Sequence, residues 1–212
     1  MKCLIISGGN IDRDSLFEEL EKTDDIYVIA VDRGVLFAAD NNIPIHKAIG
    51  DFDSVSAEER ARILKDYDVE VLIPEKDDTD TEHALSYAIN MMPEKIIMFG
   101  CTGTRLDQTF ASVRMLKCAC EKGVPAYIKD KTNRIRIVKG KTVISREKAF
   151  GKYISILPYG ERAEGITLKG FKYSIEDYTM TADNSLGVSN EIISDEAVII
   201  CDDYLIILET ID

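Results

Sequence analysis

Residues 48–54 read Ala-Ile-Gly-Asp-Phe-Asp-Ser, an apolar pair running into two carboxylates with a single residue between them. Ala48 and Ile49 read as the end of a buried strand, which places Asp51 and Asp53 at its mouth. Residues i and i+2 of an extended chain point to one side, so the spacing predicts Asp51 and Asp53 side by side with Phe52 turned into the protein. Two adjacent anions repel unless they share a proton or a cation. A hard divalent ion such as Mg²⁺ suits carboxylate oxygens and keeps positions open for phosphate. The competing reading is a solvated acidic turn, since Gly-Asp and Asp-Ser are ordinary turn chemistry. The surrounding segments decide between them.

On both sides of this stretch, short apolar runs alternate with amphipathic ones as far as about Asp130. Strands are predicted at Cys3–Ser7, Ile26–Val31, Val69–Ile73, Ile96–Gly100 and Val124–Ile128. Helices are predicted at Asp14–Glu21, Val35–Asn41 and Leu106–Cys120, closed by Gly123. Two more begin at Ser56 and Thr79, each with a glutamate three residues on (Glu59 and Glu82), the pattern of a capping box. The second carries Ala84, Leu85, Ala88, Ile89 and Met92 along one side. Strict alternation of strand and helix predicts an α/β domain over residues 1–130, a mostly parallel, Rossmann-like sheet with helices on both faces.

From Arg134 the pattern changes to short alternating runs broken by Gly, Pro, Asn and Asp. Strands are predicted at Arg134–Val138, Thr142–Ser145, Tyr153–Leu157, Gly165–Leu168, Val198–Cys201 and Leu205–Leu208. Closely spaced strands with turn signals predict a β-rich domain over 131–212, an antiparallel sandwich or barrel. The lysine-rich Lys129–Lys131 is the expected linker.

A chain of 212 residues with 45% hydrophobic and 30% charged content can bury a substantial core. Its formal charge of −12 argues against nucleic-acid and anionic-membrane partners. An anionic substrate then needs a metal or a local basic group. The cysteines (Cys3, Cys101, Cys118, Cys120 and Cys201) show no zinc or redox spacing, and most of them read as small buried side chains of a reducing compartment. The opening Met-Lys-Cys-Leu-Ile-Ile-Ser is too short an apolar run for a signal peptide or membrane span, so a cytoplasmic location is expected.

Open parallel sheets bind ligands beyond the carboxyl ends of their strands, and polar clusters follow the first five strands of this half. They are Ser7-Gly8-Gly9-Asn10, Asp32-Arg33-Gly34, Asp51 to Ser54, Lys76-Asp77-Asp78-Thr79-Asp80, and Thr102-Gly103-Thr104-Arg105-Leu106-Asp107-Gln108. All should line one edge of the sheet. Each also has a plainer explanation. Ser7-Gly8-Gly9 lacks dinucleotide-fingerprint spacing, and Asp32 can cap the helix after it. Asp80 at a helix start is favoured by the dipole, yet Asp77, Asp78 and Asp80 together repel one another. Arg105 and Asp107 can form a surface pair of little energetic consequence, or Arg105 can meet phosphate with Asp107 orienting it. His46 and His83 lack a second ligand at metal spacing and read as structural or exposed.

Taken together, Gly50 to Ser54, Asp78-Thr79-Asp80, Gly100 to Gln108 and Gly187-Val188-Ser189-Asn190-Glu191 resemble the thiamine pyrophosphokinase family in its bacterial form. Order, spacing and two-part layout agree over nearly the whole chain. Thr104 stands where many relatives have a second glycine, and Lys76 where some have glutamine. The resemblance implies an ATP-binding α/β domain, a β-rich thiamine-binding domain and a homodimer with shared active sites. The implied reaction is ATP plus thiamine giving AMP plus thiamine diphosphate. It further implies Mg²⁺ held by Asp51, Asp53 and Asp80, with Arg105 neutralising charge on the transferred group. Ser7, Gly8, Gly9, Asp32 and Arg33 would bind ATP, together with Gly103, Thr104, Arg105 and Gln108. Lys76, Asp78, Thr79, Ser189 and Asn190 would contact thiamine. Asp107, Asp77 or Asp78 would accept the hydroxyl proton.

Three alternatives stand beside this one. An Asp-x-Asp metal-dependent phosphatase also places its aspartates after a strand, though normally the first. A non-catalytic nucleotide- or thiamine-binding module would bind without releasing AMP. A dehydrogenase lacks its glycine spacing.

Overall fold

The computed structural model describes residues 1–53, 55–73 and 78–212, and the chain divides into two compact units, Met1–Lys131 and Thr132–Asp212. The first unit contains strands β1 (Lys2–Ile6), β2 (Ile26–Val31), β3 (Lys47–Gly50), β4 (Val69–Val71), β5 (Lys95–Phe99) and β6 (Ala126–Lys129). Between them run helices α1 (Arg13–Glu21), α2 (Arg33–Asp40), α3 (Ala57–Asp66), α4 (Asp80–Asn90) and α5 (Leu106–Glu121). The strands are parallel and lie in the order β6-β5-β1-β2-β3-β4. Leu4, Ile5, Ile6 and Ile96 to Phe99 are buried, as strands covered on both faces must be. From β1 the chain steps to β2 on one side, while β5 flanks β1 on the other. The loops after β1 and β5 therefore part at the sheet's switch point, where such folds open a crevice.

Three of the helix starts, those of α1, α3 and α4, are capped by side chains. Asp12 caps α1 by accepting from the Ser15 N–H at 2.9 Å. Ser56 and Glu59 complete a reciprocal box at α3, and Thr79 accepts from the Glu82 N–H at 3.1 Å to open α4. The core of this unit gathers Leu4, Val28 and Phe99 from the sheet, Leu16, Val35 and Ile63 from the helices, and Phe52 from the loop after β3. Phe52 is 1% exposed. Burying such a ring contributes about 2–3 kcal/mol and pins the acidic loop to the core.

The second unit consists of β7 (Asn133–Ser145), a 3-10 turn at Arg146–Lys148, β8 (Tyr153–Pro158), β9 (Arg162–Lys169), β10 (Ile175–Thr181), β11 (Asn190–Glu191) and β12 (Glu196–Thr210). Its pairings are antiparallel. One edge of β12 pairs with β7 from end to end; the other is shared by β9 at Val198–Ile200 and β8 at Leu205–Thr210. Two pairs of expected strands are thus single long ones. Lys139-Gly140-Lys141 and Asp202-Asp203 look like turns in the sequence, but they face each other across a bulge between Cys201 and Leu205. Strand β10 was not foreseen, because most of its residues are exposed and it shows no alternation. Ile154, Ile156, Ile166, Leu168, Phe171, Met180 and Ile207 fill the interior. Glu209, fully buried, accepts from the Phe150 N–H at 3.0 Å and from Arg134, with Arg136 3.6 Å away.

Lys129 corrects the expected linker. It belongs to β6 and is buried, with its ammonium 3.0 Å from Glu19 and 3.3 Å from Glu18 on α1. Lysine-rich composition resembles a linker only while the carboxylates that take the charge inside are out of view. No described helix is long and apolar enough to cross a membrane.

Candidate active site

A cavity of about 560 Å³ opens at the carboxyl ends of β1, β2, β3 and β5, at the switch point of the first unit. Its lining brings together Ser7, Gly8, Gly9, Asp32 and Arg33 with Asp51, Asp78, Thr79 and Asp80. Gly103, Thr104, Arg105 and Gln108 close the other side. The loops after β1 and β5 are zipped by backbone bonds. Ser7 N–H donates to Phe99 O at 2.8 Å, Gly9 to Gly100 O at 2.8 Å and Asn10 to Thr102 O at 2.9 Å. Ser7 Oγ lies 3.0 Å from Thr81 Oγ1, which ties the first loop to α4.

One carboxylate oxygen from each of Asp32, Asp51 and Asp80 lies within 4.8 Å of the others. This group differs from the expected Asp51, Asp53 and Asp80. Strand β3 ends at Gly50, and Phe52 takes a left-handed φ of 57°. The alternation that would align residues i and i+2 is therefore lost. Phe52 does turn inward, but the exposed Asp53 lies outside the cavity lining, its N–H donating to Asp51 Oδ1 at 3.0 Å as in an Asx turn. Asp32 takes the third place. It stands at the head of α2 with φ 48° and makes no side-chain capping bond, so the helix-cap explanation fails. Its N–H donates to Ile49 O at 3.1 Å, holding it beside the end of β3.

Arg105 lines the cavity rim and grips Asp107 through two hydrogen bonds, 2.6 Å from Nη2 and 3.3 Å from Nε. Asp107 itself is outside the lining. The Arg105 hydrogen bond holds the Asp107 carboxyl below the usual carboxylate range. Outside the lining and paired with Arg105, this carboxylate is a weaker base than an unpaired one. Asp78, by contrast, is on the cavity wall, with His83 Nδ1 3.6 Å away and His83 Nε2 bonded to Glu70 at 2.9 Å. Ser54, Lys76 and Asp77 lie outside the described residues.

In the second unit, Ser189 is exposed, with φ 57° and its N–H donating to Ser155 Oγ at 3.0 Å. Asn190 departs from the expected ligand role. It is buried, its carbonyl accepts from Tyr173 N–H at 3.0 Å and Glu191 N–H at 2.9 Å, and its amide donates to Tyr173 O at 2.8 Å. That side chain is engaged in holding the Tyr173 backbone.

Asn10 and Cys101, which fall within the quoted stretches, also line the cavity, as do Thr81, Thr109 and Ser112, which lie outside them. Gln108, Thr109 and Ser112 share the face of α5 that Arg105 begins, and this i, i+3, i+4, i+7 spacing was a readable signal. Cys101 is no nucleophile: burial pushes its thiol up to about 11.

Fold and site together define a class of protein: an α/β unit with an acidic crevice at its sheet's switch point, followed in the chain by an antiparallel β unit. Residues 17–128 match the family described as thiamin pyrophosphokinase, catalytic domain, and residues 141–206 match thiamin pyrophosphokinase, vitamin B1 binding domain. The chain belongs to the thiamin pyrophosphokinase family. It is 35% identical over 167 residues to the thiamine pyrophosphokinase of Bacillus subtilis (strain 168), covering 78% of each chain. The crystal structure of thiamine pyrophosphokinase from Bacillus subtilis matches with a TM-score of 0.88 at 30% identity, covering 100% of both chains. That of Geobacillus thermodenitrificans thiamin pyrophosphokinase matches at 0.88 and 29%, covering 100% of this chain and 98% of the other. The resemblance read from the motifs, and the α/β-plus-antiparallel fold class, are borne out.

Proposed function

We propose that the chain is a thiamine diphosphokinase, transferring the terminal diphosphoryl group of ATP to the hydroxyl of thiamine and releasing AMP. The observation that carries this reading is the convergence of Asp32, Asp51 and Asp80 in the crevice of a chain whose two halves match the two family domains in order. Three carboxylates so close repel one another and offer only hard oxygen donors, a set that fits Mg²⁺. Bound there, the ion would neutralise phosphate charge as a Lewis acid.

The chain's own residues supply positioning and electrostatics, which dominate phosphoryl transfer. Arg33 and Arg105 bring positive charge to the crevice of an acidic protein. Gly8, Gly9, Gly103 and Thr104 let the polyphosphate approach the backbone, and Ser7 and Gln108 add hydrogen-bonding groups. Asp78 on the wall is better placed than Asp107 to receive the hydroxyl proton. Thr79 and the exposed Ser189 are assigned to thiamine, as is Lys76 by resemblance. A cytoplasmic homodimer with shared active sites completes the reading, and the charge of −12 gives no footing for nucleic acid or an anionic membrane.

The phosphatase alternative needs Asp51 and Asp53 together, and their separation at Phe52 counts against it. The test is to incubate the protein with ATP, Mg²⁺ and thiamine. AMP and thiamine diphosphate in equal amounts are expected; ADP or free phosphate in their place would overturn the reading.

A further inference from the structure

We propose that Asp130 is a positioning residue for the nucleotide, holding the loop after β5 in its binding shape from behind the crevice. The inference rests on the reading of the crevice as the nucleotide site. Asp130 follows the last residue of β6 and contributes nothing to the cavity lining. Thr102, which does line the cavity, donates its hydroxyl to Asp130 Oδ2 at 2.9 Å. A hydrogen bond to an ionised acceptor is among the stronger kinds. The Thr102 carbonyl accepts from the Asn10 N–H at 2.9 Å. Thr102 therefore joins three segments: the end of β6, the loop after β5 and the loop after β1.

The preceding residue makes the same kind of tie in another direction. Lys129 is bonded to Glu18 and Glu19 on α1, the helix that the first loop leads into. Two consecutive residues thus tie down separate segments of the unit, Lys129 a helix and Asp130 a loop that lines the crevice. The loop has need of a brace. Gly100 (φ 70°) and Gly103 bracket Thr102, and glycine gives a segment many conformations to lose when it closes on a ligand. An anchored Thr102 removes that freedom before ATP arrives, which lowers the entropic cost of binding.

The experiment is calorimetric titration of the full chain with a non-hydrolysable ATP analogue and Mg²⁺, and separately with thiamine, alongside melting temperatures. Asp130→Ala and Thr102→Val should each weaken analogue binding about tenfold, the scale of a lost hydrogen bond to a charged group. The double variant should be no weaker than the worse single one, since both remove the same bond. Asp130→Asn keeps an acceptor and should stay within about threefold of wild type. Thiamine affinity should not move. Should Asp130→Ala fail to fold, the contrast of Thr102→Val with Asp130→Asn decides in its place. Unchanged analogue affinity in Asp130→Ala and Thr102→Val, additive losses, or equal losses in Asp130→Asn and Asp130→Ala would each overturn the inference while leaving the functional reading intact. A wild-type protein that binds no analogue would overturn both.

Discussion

A methyl group placed on Gly50 would lie 2.1 Å from Oδ1 of Asp32. The last residue of β3 is bare so that a carboxylate from the neighbouring strand's end can occupy the space beside it. Gly50→Ala should therefore displace Asp32 and lower AMP formation at least a hundredfold, about 2.7 kcal/mol of barrier. Circular dichroism should stay close to wild type. Full turnover in this variant would show that Asp32 is not needed where it lies.

The same geometry ranks Asp32 with Asp51 and Asp80. Asp32→Asn, Asp51→Asn and Asp80→Asn should each reduce turnover on the order of a hundredfold or more and raise the Mg²⁺ concentration for half-maximal rate. An Asp32→Asn protein with wild-type Mg²⁺ dependence would remove Asp32 from the metal group.

Arg105 and Asp107 can be separated by kinetics. Arg105→Lys retains charge but loses the planar fork, so turnover should fall more than ATP affinity. Asp107→Asn loses an exposed pair, which should leave the melting temperature unchanged and reduce turnover less than Arg105→Ala does. A turnover-dead Asp107→Asn with normal substrate affinities would make Asp107 the proton acceptor after all.

Acid should loosen α1 from β6. Burial works to raise the Glu19 carboxyl, but hydrogen bonds from Lys22 and Lys129 outweigh it and hold it below its ordinary value of 4.5. With its folded value depressed, Glu19 contributes stability that is complete above the ordinary value and lost as pH falls through the folded one. Lys129→Met, which leaves Glu19 buried with half its support, should cost about 3–5 kcal/mol at neutral pH and flatten the acid limb of a stability–pH curve. An unaltered limb would place the acid-sensitive group elsewhere.

Asn190→Ala should act through the fold. Removing the amide releases the Tyr173 N–H and C=O, at about 0.5–1.5 kcal/mol for each of these half-buried bonds lost. A lower melting temperature is expected, with thiamine affinity changing only as a consequence. Weaker thiamine binding in a protein of wild-type stability would return Asn190 to the ligand.

Elements with strong periodicity were legible from the sequence. The alternation of apolar runs and amphipathic stretches named the strands and helices of the first unit, and the residues after the strand ends named most of the crevice. What escaped were features set by single backbone angles or by distant partners. The left-handed turn at Phe52 exchanged Asp53 for Asp32, and no local pattern announces such an angle in a phenylalanine. Lys129 looked solvated because Glu18 and Glu19 are more than a hundred residues away. The long β7 and β12 looked like pairs of strands because their polar middles excuse one another only when laid face to face.

The pairing of β7 with β12 also sets a clock. Its nearest partners in sequence, Ser145 and Glu196, are separated by some fifty residues. At a synthesis rate of roughly 5–20 residues per second, β7 waits on the order of seconds on the ribosome before its mate exists. Throughout that interval the edge it will give to β12 is an open template for another nascent chain. Crowded translation of this protein should therefore produce aggregates seeded at Asn133–Ser145, and slowing initiation, which spaces the ribosomes apart, should relieve them without any change in the finished molecule's stability.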